Sequence, residues 1–319
     1  VWDEDGLGEI NFDSAAICQA KMGYIISHQT IVDALQEKLL AMENVGCLWS
    51  VSPAFLENQG EVINLITEDD LQFKAKLVVA ADGGNSKVRR LANIHYSRQD
   101  YKQSALACLV TTEHPHRQVA RQRFLKRGPL AFLPMSEPHQ SAIVWSSSPS
   151  HIKRLQNMDE AAFRFELAEA FANELGEIKK SSDRTAFPLS KAQTEHYCKP
   201  RIALIGDSAH TVHPLAGLGA NLGLLDAAVL AELLLEAHQQ HRDFGRMQVL
   251  RRYERQRKYE NQAMMYLMDG FKHLFENQYQ AVQWLRNAGL DLFDSLPVIK
   301  TALMKRAMGI EGNLPKMAR

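Results

Sequence analysis

The sequence predicts an α/β protein: a nucleotide-type domain interrupted by a mainly β domain and followed by a helical region. Three observations predict this. Two apolar runs, Leu77–Ala81 and Ile202–Ile205, each end in a turn carrying an acid and glycine. Runs of this kind mark strands buried in a parallel sheet. Between them lies a stretch of short strand-like segments joined by Pro, Gly, Ser and His, which reads as a sheet of its own. After Gln239 the chain is mostly helical in pattern.

The elements follow in order. Val1–Asp13 reads as two short extended pieces around a turn at Asp5-Gly6. Ile31, Ala34, Leu35, Lys38 and Leu39 are at helical spacing, with the apolar members on one face. Leu48–Ser52, Val62–Thr67 and Leu71–Phe73 are short strands. In the middle region the strands are Ala105–Thr112, Gln118–Phe124, Leu130–Met135 and Ser141–Ser146. A helix over Asp159–Leu175 and a strand over Thr185–Leu189 come next. Met264, Leu267, Met268, Phe271, Leu274 and Phe275 form an apolar stripe in the last region.

Composition narrows the classes. The 319 residues are 45% hydrophobic, enough for a large core. Lys+Arg and Asp+Glu are both 37, so no net positive charge favours nucleic acid. Cys18, Cys47, Cys108 and Cys198 are far apart and form no C-x-x-C pair. Neither a zinc site nor a disulfide framework is expected, and a reducing, cytoplasmic setting fits. No apolar run reaches the roughly 18 residues that span a bilayer. The start, Val1-Trp2-Asp3-Glu4-Asp5, has neither the basic end nor the apolar core of a signal peptide, and it reads as a fragment or processed form.

Chemistry concentrates in the run from Gly206 to Gly223. Asp207 stands at the end of a buried strand, where open α/β sheets bind ligands, and its carboxylate suits ligand hydroxyls. Pro214 stiffens the loop. Gly217 and Gly219 remove side chains, so backbone N–H groups can approach a flat ligand. The helix that follows points its positive end at the same place. A lone Gly-x-Gly pair would indicate no more than a turn. Here Asp, Pro and Gly each have a separate mechanical part. A second run, Asp82-Gly83-Gly84-Asn85-Ser86-Lys87-Val88-Arg89, also ends a buried strand and opens a helix, with Ser86 as N-cap. By itself it reads equally well as a plain capped turn.

Together the two runs resemble the class A flavoprotein aromatic hydroxylases of the para-hydroxybenzoate hydroxylase type. The nearer resemblance is to the ubiquinone-biosynthesis hydroxylases, especially those acting at ring carbon 5 of a polyprenylphenol. It rests also on Val1-Trp2-Asp3 with Gly8-Glu9-Ile10, Gly23-Tyr24-Ile25-Ile26, Leu130-Ala131-Phe132-Leu133-Pro134 and Ile143-Val144-Trp145-Ser146. Leu250-Arg251-Arg252-Tyr253-Glu254-Arg255 and Arg306-Ala307-Met308-Gly309 add to it.

The resemblance implies a three-layer FAD/NAD(P)-binding domain, truncated at its start, with an inserted substrate domain. The implied parts are 1–23 (substrate-domain strands), 24–98 and 193–240 (FAD-binding domain), 99–192 (substrate-domain sheet) and 241–319 (helical region). It implies that Asp207, beside Gly206, contacts the ribityl chain of FAD. Pro214, Gly217, Leu218, Gly219, Ala220 and Asn221 would line the flavin, and Asp82, Gly83 and Arg89 would belong to the element near the pyrophosphate. The family's opening G-x-G-x-x-G unit is not in this sequence, which bears on the ADP half of the cofactor site. Many relatives carry Gln where this chain has Leu218, and Arg where it reads Ser27-His28-Gln29-Thr30, with Gln29 a substitute donor.

The implied reaction is hydroxylation of a polyprenylated phenol. NAD(P)H reduces FAD, O2 adds at flavin C4a, and the distal oxygen passes to the ring. No residue that activates the phenol is identified; His210 and His213 are weak candidates, since a His in such a loop is more often a structural hydrogen bonder. Leu130–Pro134 and Ile143–Trp145 are candidates for the substrate face, although apolar strand residues are core by default. Arg251, Arg252, Arg255, Arg257 and Lys258 precede the Met/Phe stripe and read either as a solvated face or subunit contact, or as a peripheral contact with the inner membrane. Homo-oligomers and other ubiquinone-pathway proteins are the implied partners. Two other functions fit the same residues. A flavin-dependent reductase or dehydrogenase would form product without oxygen. A non-catalytic assembly fragment would bind no flavin and expose an open sheet edge.

Overall fold

The computed structural model describes residues 1–4, 9–212, 217–276, 300–301, 304–305, 308–309 and 314–318, with the side chains of 268 and 271–276 outside the description. The Asp5-Gly6 turn, Gly8, His213, Pro214 and Arg306-Ala307 therefore lie outside it, as do the side chains of Met268, Phe271, Leu274 and Phe275.

In chain order the elements are β1 (Trp2–Asp3), α1 (His28–Leu40), β2 (Pro53–Asn58), β3 (Ile63–Thr67), β4 (Gln72–Ala75), β5 (Val78–Ala80) and α2 (Lys87–Leu91). Then come β6 (Tyr96–Thr112), β7 (Arg121–Leu125), β8 (Gly128–Pro134), β9 (Gln140–Ser147), α3 (Pro149–Asn157) and α4 (Glu160–Ala170). The remainder are β10 (Ile178–Ser181), β11 (Thr185–Thr194), β12 (Cys198–Lys199), β13 (Ile202–Leu204), β14 (His210–Thr211), α5 (Gly219–Gln239) and α6 (Met247–Glu276). The mixed α/β class is the one expected.

The chain divides into two compact units. The first comprises Val1–Ala34, Tyr101–Leu189 and Gly270–Glu311, and the second Leu35–Asp100, Ser190–Asp269 and Gly312–Arg319. In the first unit, β7, β8, β9 and β6 form an antiparallel meander, with β1 parallel to β7 at one side and β10 on β6. Its strands obey the period of two. Leu106, Trp145 and Leu130 lie side by side in register, as do Cys108, Ile143 and Phe132. These residues are buried against Ile152 and Leu155 of α3, Phe163 and Leu167 of α4, and Phe171. Phe132 stacks on Phe171 at 3.9 Å between ring centroids.

In the second unit, β12, β13 and β5 form one small sheet, with β13 parallel to β5, and β2, β3 and β4 form another. Ile202, Ala203 and Leu204 are wholly buried beneath Val229, Leu230 and Leu233 of α5 and Leu250 and Tyr253 of α6.

Several sequence expectations need correction. Leu48–Ser52 is not a strand: Ser50 adopts φ 60°, which turns the chain, and extension begins at Pro53. The helix expected to reach Leu175 stops at Ala170, because Ala172 and Asn173 take positive φ. A helix over Pro149–Asn157 was not foreseen, although Ser148 as N-cap before Pro149 is a readable start signal. The last strand of the β region extends to Thr194. Val79 is 41% exposed, so β5 is not buried on both faces; it is the end strand of its sheet among the described residues. The helix around Ile31 forms, but its apolar residues Ile31, Leu35 and Leu39 are exposed. Of the Met/Phe stripe, Met264 is half-buried against the cluster of Val212, Leu222 and Met265, which itself lies outside the stripe, while Leu267 is exposed. The basic run is not one solvated face: Arg257 is 1% exposed.

Candidate functional site

Parallel pairing of β5 with β13 brings the two sequence runs to the same sheet edge. The Ile205 N–H donates to the Ala80 carbonyl at 3.0 Å, and the chain leaves both strands there. Asp82 emerges from one strand and Gly206-Asp207 from the other. The Ser208 hydroxyl donates to Asp82 Oδ1 at 3.0 Å. Asp82 Oδ2 accepts from the backbone N–H groups of Lys87 and Val88 at 2.7 and 3.1 Å, at the start of α2. Burial would raise this carboxyl. Hydrogen bonds from Ser86, Val88, Ser208 and its own backbone outweigh it and hold Asp82 below the usual value.

Arg89 is 4% exposed and lies across the junction. Its Nη1 donates to the Ser208 carbonyl at 2.8 Å and its Nη2 to the Gly84 carbonyl at 2.7 Å. The guanidinium lies 3.7 Å from the centre of the Tyr96 ring. With both amino groups given to backbone, Arg89 braces one run against the other.

Asp207 faces outward. Its side chain is exposed and makes no hydrogen bond among the described residues, while the surrounding protein raises its carboxyl and His210 pulls it down. The loop beyond returns at Gly217, with φ 62° and open space where a Cβ would stand. Leu218 precedes α5 without a side-chain cap, so the first N–H groups of that helix, at Gly219, Ala220 and Asn221, have no partner among the described residues. Gly83, at φ 79°, likewise faces open space. Among the described residues this region therefore offers a carboxylate and backbone donors without a protein partner, and a positive helix end.

His210 does not face that opening. It is 1% exposed, and its Nε2 lies 2.6 Å from Asp226 Oδ2. Asp226, on α5, is wholly buried and also meets Arg257 Nε at 2.7 Å and Asn261 Nδ2 at 3.2 Å. Burial would raise its carboxyl; His210 and Arg257 lower it on balance. Sequence reasoning missed Asp226, Arg257, Asn261 and Ser208. The available signal was an acid set inside the apolar helix stretch Leu222–Leu235. Gln29 belongs to the other unit and donates to Asp33 Oδ1 at 2.6 Å on exposed α1.

The geometry can be set against known proteins. The family described as FAD binding domain matches residues 53–267. The chain is 34% identical over 308 residues to the 3-demethoxyubiquinol 3-hydroxylase of Escherichia coli (strain K12), covering 94% of this chain and 76% of that protein. It is 32% identical over 348 residues to the mitochondrial ubiquinone biosynthesis monooxygenase COQ6 of Danio rerio, covering 95% and 71%. Among solved structures, the p-nitrophenol 4-monooxygenase PnpA from Pseudomonas putida DLL-E4 superposes with a TM-score of 0.73 at 18% identity. That match covers 90% of this chain and 73% of the other, and is a likeness of fold.

Proposed function

Because the chain belongs to the FAD binding domain family, among the ubiquinone-biosynthesis hydroxylases and as an FAD-dependent monooxygenase, we propose that it hydroxylates a polyprenylated phenol. NAD(P)H is the electron donor and O2 the oxidant in this reading.

The observation that carries the site assignment is the exposed Asp207 carboxylate at the end of β13, which has no hydrogen-bond partner among the described residues, with Gly217 and the uncapped start of α5 beyond it. These residues fit a flavin. An exposed carboxylate at this place accepts ribityl hydroxyls. Open space at Gly217 and Gly83 admits a flat ring or a phosphate without steric conflict. FAD, when bound, supplies the oxygen activation that no side chain can perform. The N–H groups of Gly219, Ala220 and Asn221 would stabilise negative charge on the ring, and Asp82 and Arg89 would hold the two loops in place.

The substrate would be held by apolar surface. In the first unit the core-facing residues alternate with Ala107, Ala131, Leu133, Ala142 and Val144, which are half-buried on the opposite side of the sheet. Ala107, Val144 and Ala131 are neighbours across three strands. Small apolar side chains there leave room for an aromatic ring or prenyl chain. The corresponding core residues Leu130, Phe132, Ile143 and Trp145 pack on helices instead.

An FAD titration followed by flavin absorbance, then turnover of a prenylphenol under labelled O2, tests the reading. Binding together with one labelled oxygen in the product is expected. Oxidation of NAD(P)H with no oxygen entering the product would replace it with a reductase, and failure of the chain to bind FAD would reject it for this chain.

A further inference from the structure

Behind the Gly206-Asp207 turn lies a charge that the proposed chemistry does not touch. Asp226 has no exposed surface and receives four donors. Gly206 N–H and His210 Nε2 reach Oδ2 at 3.0 and 2.6 Å, and Arg257 Nε and Asn261 Nδ2 reach Oδ1 at 2.7 and 3.2 Å. A carboxylate has about four acceptor positions, so this one is saturated. Two donors belong to the loop that carries Asp207, and two belong to α6.

Close approach makes the contact feasible. Gly206 takes φ 55°, and a Cβ on Gly223 would stand 3.2 Å from the Gly206 Cα. Two glycines thus let α5 lie against the turn, and Asp226, one helical turn beyond Gly223, reaches the Gly206 N–H. Buried ion pairs are weak contributors to stability, because desolvation offsets their attraction. Their directional hydrogen bonds nevertheless fix the groups they hold. Here the group held is the N–H of Gly206, the residue immediately before Asp207.

We propose that Asp226 is the positioning residue of the cofactor loop: it fixes the Gly206 peptide and the His210 ring, and through them the direction in which Asp207 is presented to flavin. Arg257 and Asn261 anchor its other oxygen to α6. This inference rests on the reading of Asp207 as the flavin-contacting carboxylate.

Amide hydrogen exchange on the whole chain, paired with FAD titration, tests it. Asp226→Asn removes the charge at constant shape, and Asn261→Leu removes one α6 donor while leaving both loop bonds. Asp226→Asn is expected to speed exchange at Gly206 selectively and to weaken FAD about tenfold or more, the scale of one hydrogen bond to a charged group. Asn261→Leu is expected to change Gly206 exchange much less. If Asp226→Asn does not fold, Gly223→Ala separates the helix from the turn with the ion pair intact, and the same two changes are expected. Exchange that rises evenly across β13 and α5, or a folded variant with wild-type FAD affinity, overturns the positioning role. A wild-type chain that binds no FAD refutes the proposed function instead, and the exchange data then decide the loop contact alone.

Discussion

Arg89 Nη1 donates to the carbonyl of Ser208 at 2.8 Å, across 119 residues of sequence. That bond, with the Ser208 hydroxyl on Asp82, joins the two acid-and-glycine turns into one platform. Arg89→Lys keeps the charge but loses the planar fork that serves two carbonyls and stacks on Tyr96. Leaving one buried carbonyl unsatisfied costs about 1–3 kcal/mol. Urea unfolding of this variant should show a loss of that size.

In the proposed reading, substitution of Asp207 should separate binding from stability. It is exposed and makes no hydrogen bond among the described residues. Asp207→Ala should leave the unfolding midpoint nearly unchanged, within about 0.5 kcal/mol. FAD affinity should fall about tenfold, the scale of one lost charge-assisted hydrogen bond. Parallel thermal melts and flavin titrations would reveal whether the two effects divide in this way.

Acid should act through Asp243. Its hydrogen bond from Arg201 is the largest influence and holds the carboxyl below 3.8, against burial, with help from the Gly245 N–H. Because the folded value is depressed, the stabilisation is fully present above the unfolded value. It is lost as pH falls through the folded one. Asp243→Asn should therefore lower stability at neutral pH and flatten its decline in acid. Chemical denaturation across that range compares the two slopes.

Glycine substitutions should differ with what the new Cβ meets. At Gly128, φ is 128° and the Cβ would lie 2.3 Å from the Ser146 carbonyl oxygen, fixed in β9. At Gly176 the nearest atom is Glu113 Oε2 at 2.6 Å, the far end of an exposed side chain. Both positions strain an L-residue; at Gly176 the Glu113 Cβ also stands 2.9 Å away, but at Gly128 the closest atom is itself backbone. Gly128→Ala should cost about 1–3 kcal/mol or more, and Gly176→Ala less, by calorimetric melting.

Much of the layout of the candidate site was legible because its parts are local. An apolar run ending in acid and glycine announces a strand that delivers a side chain to a sheet edge, so Asp82 and Asp207 could be named from spacing. The Ser86 cap was equally readable, and the structure shows its hydroxyl accepting from Arg89 N–H at 2.9 Å. Asp226 was not legible. A lone acid in the apolar stretch Leu222–Leu235 marks an unusual position but not its partners, which lie 16, 20, 31 and 35 residues away. The basic run misled for the same reason. Arg251 and Arg255 are exposed, while Arg257, two positions on, turns inward to Asp226.

By itself the sequence determined the α/β class, the strands that end in Asp82 and Asp207, and the alternation that builds the β meander. All are set by side-chain periodicity and turn residues acting over a few positions. Only the tertiary structure decided that Arg89 braces two loops rather than facing outward, that His210 points to a buried carboxylate, and that Val79 and the apolar face of α1 are exposed. These depend on which surfaces pack together and on how charge is neutralised once water is excluded, and neither is encoded in any short window of the chain.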